Sequence, residues 1–327
     1  MQITSAMLSA ARAVGACVLL SGCAGTSAGP TAALPGDVGR SQTSTVAPAA
    51  STACIGAPCG NLYVSDLSSD SVHALLNQRY TPNGSIPATA PSGEWTDAKY
   101  NLYVANFTGR RGFVQERACT AGRNAQCERK PSFIYSQTLV DPTSVTTDRS
   151  GNVYVTDQGV GGIDEFPQGV NKHIESCAIL GFPQGVAVDS HTGDVFMSYY
   201  SVERVGRIMV FKGGLVGCHG ANLNVHLKFA AGMILDPRGD LIVANTGAKT
   251  VDVIAPPYAN VTRTCGSGYG GPSQVALTAS GARLFVADPA NADVQVYNYP
   301  ACTLVRALSG SSVGVPAGVT NTYNLVD

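Results

Sequence analysis

The chain has 327 residues, of which 44% are hydrophobic and 13% charged, and its formal net charge is −1. A charge balance so close to zero excludes the strong basic field of a non-specific nucleic-acid binder, so we expect no nucleic-acid partner. The 37 glycines and 18 prolines indicate many turns, and a predominance of valine, tyrosine and phenylalanine over long helix formers favours β structure.

The first residues are typical of an export signal. Residues 13–20 (AVGACVLL) form an apolar run that is too short to span a membrane and fits the hydrophobic region of a secretory signal peptide. The next motif, LSGC ending at Cys23, resembles the lipobox of bacterial lipoproteins, which implies cleavage before Cys23 and palmitate-type acylation of its thiol. An ordinary signal peptide with a chance cysteine is the alternative. We expect residues 1–22 to be a lipoprotein signal peptide.

The resemblance to lipoproteins places the protein in the bacterial cell envelope, held to the membrane by its lipid. Position 24 is alanine rather than aspartate, which by the same resemblance favours the outer membrane, facing the periplasm, if the host is Gram-negative. Residues 23–53 comprise the lipidated Cys23 and a segment rich in Ala, Gly, Ser, Thr and Pro. Because such a segment buries little apolar surface, it is predicted to be a flexible tether.

A repeat runs through residues 54–327. A short turn, three apolar residues, a small residue and usually Asp or Asn recur six times, with central residues Tyr63, Tyr103, Tyr154, Phe196, Ile242 and Phe285. The spacings between these residues are 40, 51, 42, 46 and 43. A period in the low forties with strand character fits one four-stranded propeller blade.

Each copy of this motif lies in a larger unit of four predicted strands. A Pro-small-Gly-Val strand such as Pro183–Asp189 precedes it, and an alternating strand such as Val294–Tyr297 follows. The first blade lacks its first strand, whereas residues 315–320 supply a surplus one at the C-terminus. We therefore predict an all-β, six-bladed β-propeller over residues 54–327, closed by a C-terminal strand that completes blade 1.

These units resemble NHL repeats, through the motif P-x-G-V-A-V-D…G-D-V-F-M-S…R-I-M-V-F. The resemblance covers nearly all of residues 54–327. It implies kinship with the SMP-30/gluconolactonase/LRE-like and streptogramin lyase-like propellers, which are enzymes. It is specific for the fold and unspecific for activity, since propellers host many functions.

The gluconolactonase resemblance also implies a divalent cation held in the central channel by Glu, Asn and Asp. The predicted channel-lining strands carry one carboxylate, Glu94, beside Trp95, with Gln184 and Gln274 on other blades. One carboxylate is too few for a hard cation, so no cofactor is expected, with Ca²⁺ or another divalent cation as the alternative. Further binding candidates, which also have the residue types that cap turns, are Asn106, Asp157, Asn245 and Asp288.

Eight cysteines follow Cys23, and an even number in an exported chain suggests disulfides. Cys54 with Cys59 and Cys119 with Cys127 close short loops that could be bridged locally. The other four fall between the third and fourth strands of successive blades, where equivalent positions should diverge beyond the ~7 Å limit between Cα atoms. Four free thiols and two bridges both stay open for Cys177, Cys218, Cys265 and Cys302.

Two functions remain. The five histidines avoid the channel-lining positions and no nucleophile motif stands in a suitable context. The favoured function is a monomeric, lipid-anchored binding or scaffold module for a protein or glycan partner, acting through loops such as Phe107–Gly112 and Gln158–Gly162. The alternative is a metal-dependent lactonase or lyase acting in the channel.

Overall fold

A computed structural model describes residues 61–76, 80–120 and 126–321, which all belong to one unit, Pro58–Asp327. These residues form six four-stranded antiparallel sheets, so the predicted all-β, six-bladed propeller is confirmed. The predicted signal peptide, lipidation site Cys23, tether and Cys54–Cys59 pair lie outside the described residues. Within the described ranges, no helix is long and apolar enough to cross a membrane.

The strands follow one another blade by blade. Blade 1 contains β1 Asn61–Asp66, β2 Ser71–Leu76, β3 Thr81–Pro87 and the last strand, β24 Pro316–Asn321, and blade 2 contains β4 Glu94–Thr96, β5 Leu102–Phe107, β6 Gly112–Arg117 and β7 Phe133–Tyr135. Blade 3 contains β8 Pro142–Thr147, β9 Val153–Asp157, β10 Gly162–Phe166 and β11 Glu175–Ala178, and blade 4 contains β12 Gly181–Val188, β13 Val195–Ser201, β14 Gly206–Phe211 and β15 Gly220–Asn222. Blade 5 contains β16 Ala230–Leu235, β17 Leu241–Asn245, β18 Thr250–Ile254 and β19 Arg263–Cys265, and blade 6 contains β20 Gln274–Leu277, β21 Arg283–Asp288, β22 Asp293–Asn298 and β23 Thr303–Ser309.

The two ends of the described chain meet in blade 1. Strand β24 pairs antiparallel with β1, with Val64 opposite Val319. The Asp66 carboxylate accepts a hydrogen bond of 2.8 Å from the backbone N–H of Val315. The predicted closure by a C-terminal strand is confirmed, and it leaves β1 with a partner on both sides.

The hydrophobic core lies between the blades rather than around one centre. The buried apolar residues form six clusters, each made by two neighbouring blades. The repeated motif supplies residues to both faces of its sheet. In blade 2, for example, Val104 packs toward blade 1 while Tyr103 packs toward blade 3. Because both faces are buried, three consecutive apolar residues recur in every copy of the motif.

The cysteine geometry differs from the expectation that equivalent positions diverge. Besides the disulfide between Cys119 and Cys127, Cys177 bonds to Cys218 and Cys265 bonds to Cys302, with Cα atoms 5.3 Å and 4.8 Å apart. The partners are not equivalent. Cys177 and Cys265 lie in outer strands, whereas Cys218 and Cys302 lie in the turns that precede the outer strands of the next blade. One disulfide therefore cross-links blade 3 to blade 4, and another cross-links blade 5 to blade 6.

Candidate functional site

The channel is bordered by the innermost strand of each blade. These strands, β24, β4, β8, β12, β16 and β20, contact one another in succession around the ring. At one level of the channel, six equivalent positions hold four glycines, a serine and a glutamine: Gly318, Gly93, Ser144, Gly185, Gly232 and Gln274. The glycines allow the inner strands to approach closely, since a Cβ on Gly93 would lie 2.6 Å from the carbonyl oxygen of Thr143.

The side chain of Gln274 crosses the channel at this level. Its Nε2 donates a hydrogen bond of 3.2 Å to the Oγ of Ser144, which belongs to the opposite blade. A Cβ on Gly232 would collide with the Gln274 carboxamide, and a Cβ on Gly93 would lie 3.0 Å from its Nε2. The carboxamide therefore fills space that the glycines leave free, and Gln274 blocks the channel at this level.

Trp95 occupies a second level of the channel. Its ring packs against the cluster between blades 2 and 3 and also against the cluster between blades 5 and 6, which lies across the ring. The indole N–H donates a hydrogen bond of 2.9 Å to Thr147 Oγ1. Trp95 and Gln274 thus both act as packing residues that close the channel.

Glu94 is the carboxylate that the sequence placed in the channel wall. Its side chain is only 5% exposed, and Oε1 accepts a hydrogen bond of 2.9 Å from the backbone N–H of Ser65. Its Oε2 and the neighbouring Ser65 Oγ have no hydrogen-bond partner among the described residues. Burial raises the pKa of the Glu94 carboxyl well above its usual range, and the Ser65 N–H opposes this only in part.

The surroundings of Glu94 do not fit a divalent cation. Where blade 2 has Glu94, the other blades have Val319, Val145, Val186, Met233 and Val275. A cation such as Ca²⁺ needs several oxygen ligands, and no group of three or more His, Cys, Asp or Glu side chains that could hold a metal occurs in the described residues. We therefore derive no metal chemistry from this position.

The Asp and Asn residues that end the second strands hold the ring together. Asp157 accepts hydrogen bonds from the backbone N–H groups of Val140 and Asp141, in the connection that enters its own blade from blade 2. The same relationship recurs in four other blades, where Thr89 donates to Asn106, Lys228 and Phe229 to Asn245, Gly270 and Gly271 to Asp288, and Val315 to Asp66. These carboxylates and amides satisfy backbone donors, as turn-capping residues do.

A serine, a histidine and an aspartate meet where β1 turns into β2 in blade 1, but they do not form a catalytic relay. His73 Nε2 lies 3.1 Å from Asp66 Oδ2 and 3.4 Å from Ser69 Oγ. A relay needs the two ring nitrogens to serve different partners, whereas here one nitrogen faces both. Ser69 Oγ itself donates to Asp66 at 2.6 Å, so the cluster satisfies Asp66.

One face of the propeller carries the turns between second and third strands and the connections from each outer strand to the next inner strand. We call it the connection face. In blade 4, Tyr199 stands where the other blades have Asp or Asn, and the connection from β11 to β12 contains only Ile179 and Leu180. So short a connection cannot fold back over the blade, and Leu180 is left 84% exposed.

Leu180 belongs to an apolar patch on the connection face of blades 3 to 5. Val202 and Val160 are 61% and 46% exposed. Leu180 and Val202 extend the paired residues Gly181 and Ser201 by one residue each. The turn of Val160 is held to this connection by a 2.8 Å hydrogen bond from Ile179 N to Gly161 O. The apolar patch consists of the exposed Val160, Leu180 and Val202 and the partly buried aromatic pair Tyr200 and Phe229.

Sequence reasoning missed most of the apolar patch. Of the two loops predicted for recognition, Gln158–Gly162 contributes Val160, whereas Phe107–Gly112 contributes no large exposed apolar side chain. The predicted Gln184 lies beside the patch, where its Nε2 donates to Gln158 Oε1 at 3.3 Å. The available signal was the shortness of the segment between β11 and β12, which removes the cover from blade 4.

Comparison with known proteins adds evidence about the fold. No family model matches the chain, and no curated protein matches it. Among solved structures, a chain of a nidogen/laminin complex is 15% identical with a TM-score of 0.63, covering 82% of this chain and 99% of that one. A candidate 6-phosphogluconolactonase of Bacteroides fragilis is 12% identical with a TM-score of 0.57, covering 80% and 98%. Apo AztD of Citrobacter koseri is 8% identical with a TM-score of 0.53, covering 81% and 98%. Identities this low show the propeller fold alone.

Proposed function

We propose that this protein is a lipid-anchored, extracytoplasmic binding module that holds a protein partner on its connection face. The observation that carries the proposal is the apolar patch, because contiguous exposed apolar side chains on a soluble domain mark interaction sites. The aromatic pair adds to this, since its rings lie 4.8 Å apart and rigid aromatic side chains anchor many protein interfaces.

The channel favours binding over channel catalysis. Gln274 and Trp95 fill it at two levels, and Glu94 is the single carboxylate at its level of the inner strands. A lactonase or lyase that acts in the channel needs an open cavity with convergent polar groups. The structural likeness to a candidate 6-phosphogluconolactonase is compatible with either function, because one fold supports many activities.

A groove between blades 1 and 2 is the main alternative surface for a glycan. It encloses about 340 Å³ and is lined by hydroxyl and charged groups, including Ser69, Asp70, Ser85, Glu128 and Arg129. No aromatic side chain lines it, so it lacks the apolar platform that would supply most of the binding energy. The protein partner is therefore the better-supported choice.

Site-specific photo-crosslinking tests the proposed function. We would place a photo-crosslinking amino acid at position 202 of the full chain in its native host, and at position 216 as the control. Val216 is 76% exposed but lies in the turn between β14 and β15, on the opposite face. We expect a discrete crosslinked band at 202 that Leu180→Asp removes and that 216 lacks. Equal crosslinking at both positions, or none at 202, would contradict the proposal.

The anchoring part of the proposal rests on the lipobox-like motif at Cys23 and is tested separately. Cys23→Ser should abolish labelling by radioactive palmitate and leave the signal peptide uncleaved, because that thiol would carry the lipid. A mutant that is still labelled and membrane-bound would overturn the anchor while leaving the binding function of the propeller to its own test.

A further inference from the structure

The rim of the apolar patch is positively charged. Arg204 lies in the turn of Val202, Arg207 stands opposite Tyr199 in β14, and Lys228 precedes Phe229. Among the described residues, none of these three cations forms a salt bridge within 4 Å. One anion, Glu203, shares the turn with Arg204. Below the surface, Asp157 accepts hydrogen bonds from the backbone N–H groups of Gly159 and Val160, and Asp141 accepts one from Gln158, so both buried carboxylates already have donors. On the exposed rim itself, three cations stand against one anion.

The turn that carries these charges is well defined. Ser201 N donates to Val205 O at 2.9 Å, and Arg204 N donates back to Ser201 O at 2.9 Å. The backbone carbonyl of Lys228 accepts from Gly206 N at 3.1 Å, which holds Lys228 beside the same turn. The backbone that carries the cations is therefore held in place beside the patch, and a partner meets it without first ordering the loop.

A second copy of this chain is a poor occupant. In a two-fold contact the same patch would face itself, and the rim cations of the two copies would oppose each other. Like charges across an interface are unfavourable by several kcal/mol. An anionic lipid surface is also disfavoured, because Glu203 projects at the tip of the turn beside the most exposed apolar side chains. A hydrogen bond from Ser201, with help from Arg207, lowers the pKa of Glu203, so this group is an anion at neutral pH.

We infer that the partner presents a polypeptide segment with apolar side chains flanked by carboxylates, which would occupy the apolar patch and pair with Arg204 and Lys228. This inference rests on the proposed function and specifies the chemistry of its partner. The apolar contact provides affinity, while the charged rim selects acidic over basic segments and accelerates association.

Labelled peptides test the inference on the purified full chain. The probes share a Leu-Phe-Leu centre and differ in their flanks, which are glutamates, glutamines or lysines. Fluorescence anisotropy should give the tightest binding for the glutamate peptide and at least about tenfold weaker binding for the lysine peptide. Arg204→Glu with Lys228→Glu should reverse this order. Arg149→Glu with Lys172→Glu, an equal charge change on the opposite face, should leave it unchanged.

The outcomes separate the inference from the proposed function. If Leu180→Asp abolishes peptide binding but the flanking charge and the rim substitutions have no effect, the acidic-partner inference is wrong and the binding face stands. If the peptides bind equally to wild type and Leu180→Asp, or do not bind at all, the inference is overturned as well. Thermal melting of Leu180→Asp checks that the exposed substitution leaves the propeller folded.

Two further experiments test whether a lipid surface or a second copy of the chain covers the apolar patch. Phosphatidylglycerol vesicles are mixed with full chain carrying Cys23→Ser, and sedimentation velocity measures the oligomeric state. Leu180-dependent vesicle binding without peptide binding would assign the patch to a lipid surface and overturn the inference. A dimer that Leu180→Asp dissociates would assign the patch to a second copy and overturn it equally. We expect a monomer that does not bind the vesicles.

Discussion

Gln274 and Ser144 lie 130 positions apart in sequence and on opposite blades, yet a 3.2 Å hydrogen bond joins their side chains across the channel. The bond exists because the four other equivalent positions are glycine, so that the inner strands crowd together around one carboxamide. Closure of the channel is thus a property of the whole ring. A larger residue at any of these glycines has to displace a neighbouring strand.

Glycine substitutions should show how tightly the ring is packed. A Cβ on Gly185 would lie 2.5 Å from Ala231 O and 2.9 Å from the Cα of Gly232, and these backbone atoms cannot yield as a side chain would. We expect Gly185→Ala to lower the free energy of unfolding by about 1–3 kcal/mol, measured by guanidinium denaturation.

Gly271 provides the matched control. Its added Cβ would lie 3.6 Å from Thr246 Cγ2, an ordinary contact, and its φ is not in the left-handed region. We expect Gly271→Ala to be neutral or to stabilise by about 0.4–1 kcal/mol through the unfolded chain. An equal loss for both variants would show that the clash at Gly185 is not the cause.

Replacing Glu94 should stabilise the propeller. Glu94→Met introduces the residue type found at Met233 in blade 5 and removes a buried carboxyl whose Oε2 has no hydrogen-bond partner among the described residues. We expect a gain of about 1–3 kcal/mol near neutral pH. Chemical denaturation of both proteins at several pH values measures it.

The pH dependence gives this prediction its sign. Burial raises the pKa of Glu94 in the folded state, while in the unfolded chain it stays near the usual 4.5. Below that value both states hold the proton. As the pH rises toward the folded pKa, the unfolded chain alone ionises, and wild type loses stability relative to Glu94→Met. Glu94→Gln, which keeps the length of the side chain but cannot ionise, should give the same pH profile as Glu94→Met. Parallel profiles for wild type and Glu94→Met would contradict the prediction.

Asp157 should matter for stability through the backbone it binds. Its carboxylate accepts N–H groups from Val140, Asp141 and Gly159, and Asp157→Ala would leave them without that partner. We expect a loss of roughly 2–4 kcal/mol and faster hydrogen exchange at Val140 and Asp141. Asp157→Asn keeps an oxygen acceptor and should lose less. Unchanged exchange in Asp157→Ala would count against the structural role and in favour of a ligand role.

The disulfides should differ in their contribution according to the chain they enclose. The Cys177–Cys218 bridge spans 41 positions and Cys119–Cys127 spans 8. On the chain-entropy model their removal as paired serine variants should cost about 4 and about 2.5 kcal/mol. Thermal unfolding under non-reducing conditions tests this order. A greater loss for the short loop would point to a local role for that bridge.

The propeller could be predicted because its strand motif repeats. Each copy places apolar residues on both faces of a strand. The additional C-terminal strand, residues 316–321, could pair at one position in the ring, beside β1. The bridges between blades could not be predicted from the same pattern. Cys218 lies in a turn and Cys177 in a strand, and such offsets depend on loop conformation rather than on the repeat.

The candidate site could be predicted only in part. The sequence placed Glu94 and Gln274 at the inner strands but could not show that Gln274 reaches Ser144, since that contact requires the whole ring. Leu180 was missed for the opposite reason: an apolar residue beside Ile179 and Phe182 suggests burial. Its exposure follows from the two-residue connection between β11 and β12, whose length is clear only when both strands have been located.

Because β1 pairs with β24, the first strand cannot complete its sheet until the last strand has been synthesised. Asp66 and its hydrogen-bond donor Val315 are 249 positions apart, and ribosomes add about 5–20 residues per second, so roughly 12 to 50 s separate the synthesis of the two. During that interval β1 has a free edge, which is where unfinished β proteins associate with one another. The newly made chain therefore depends on whatever shields that edge until its last strand arrives.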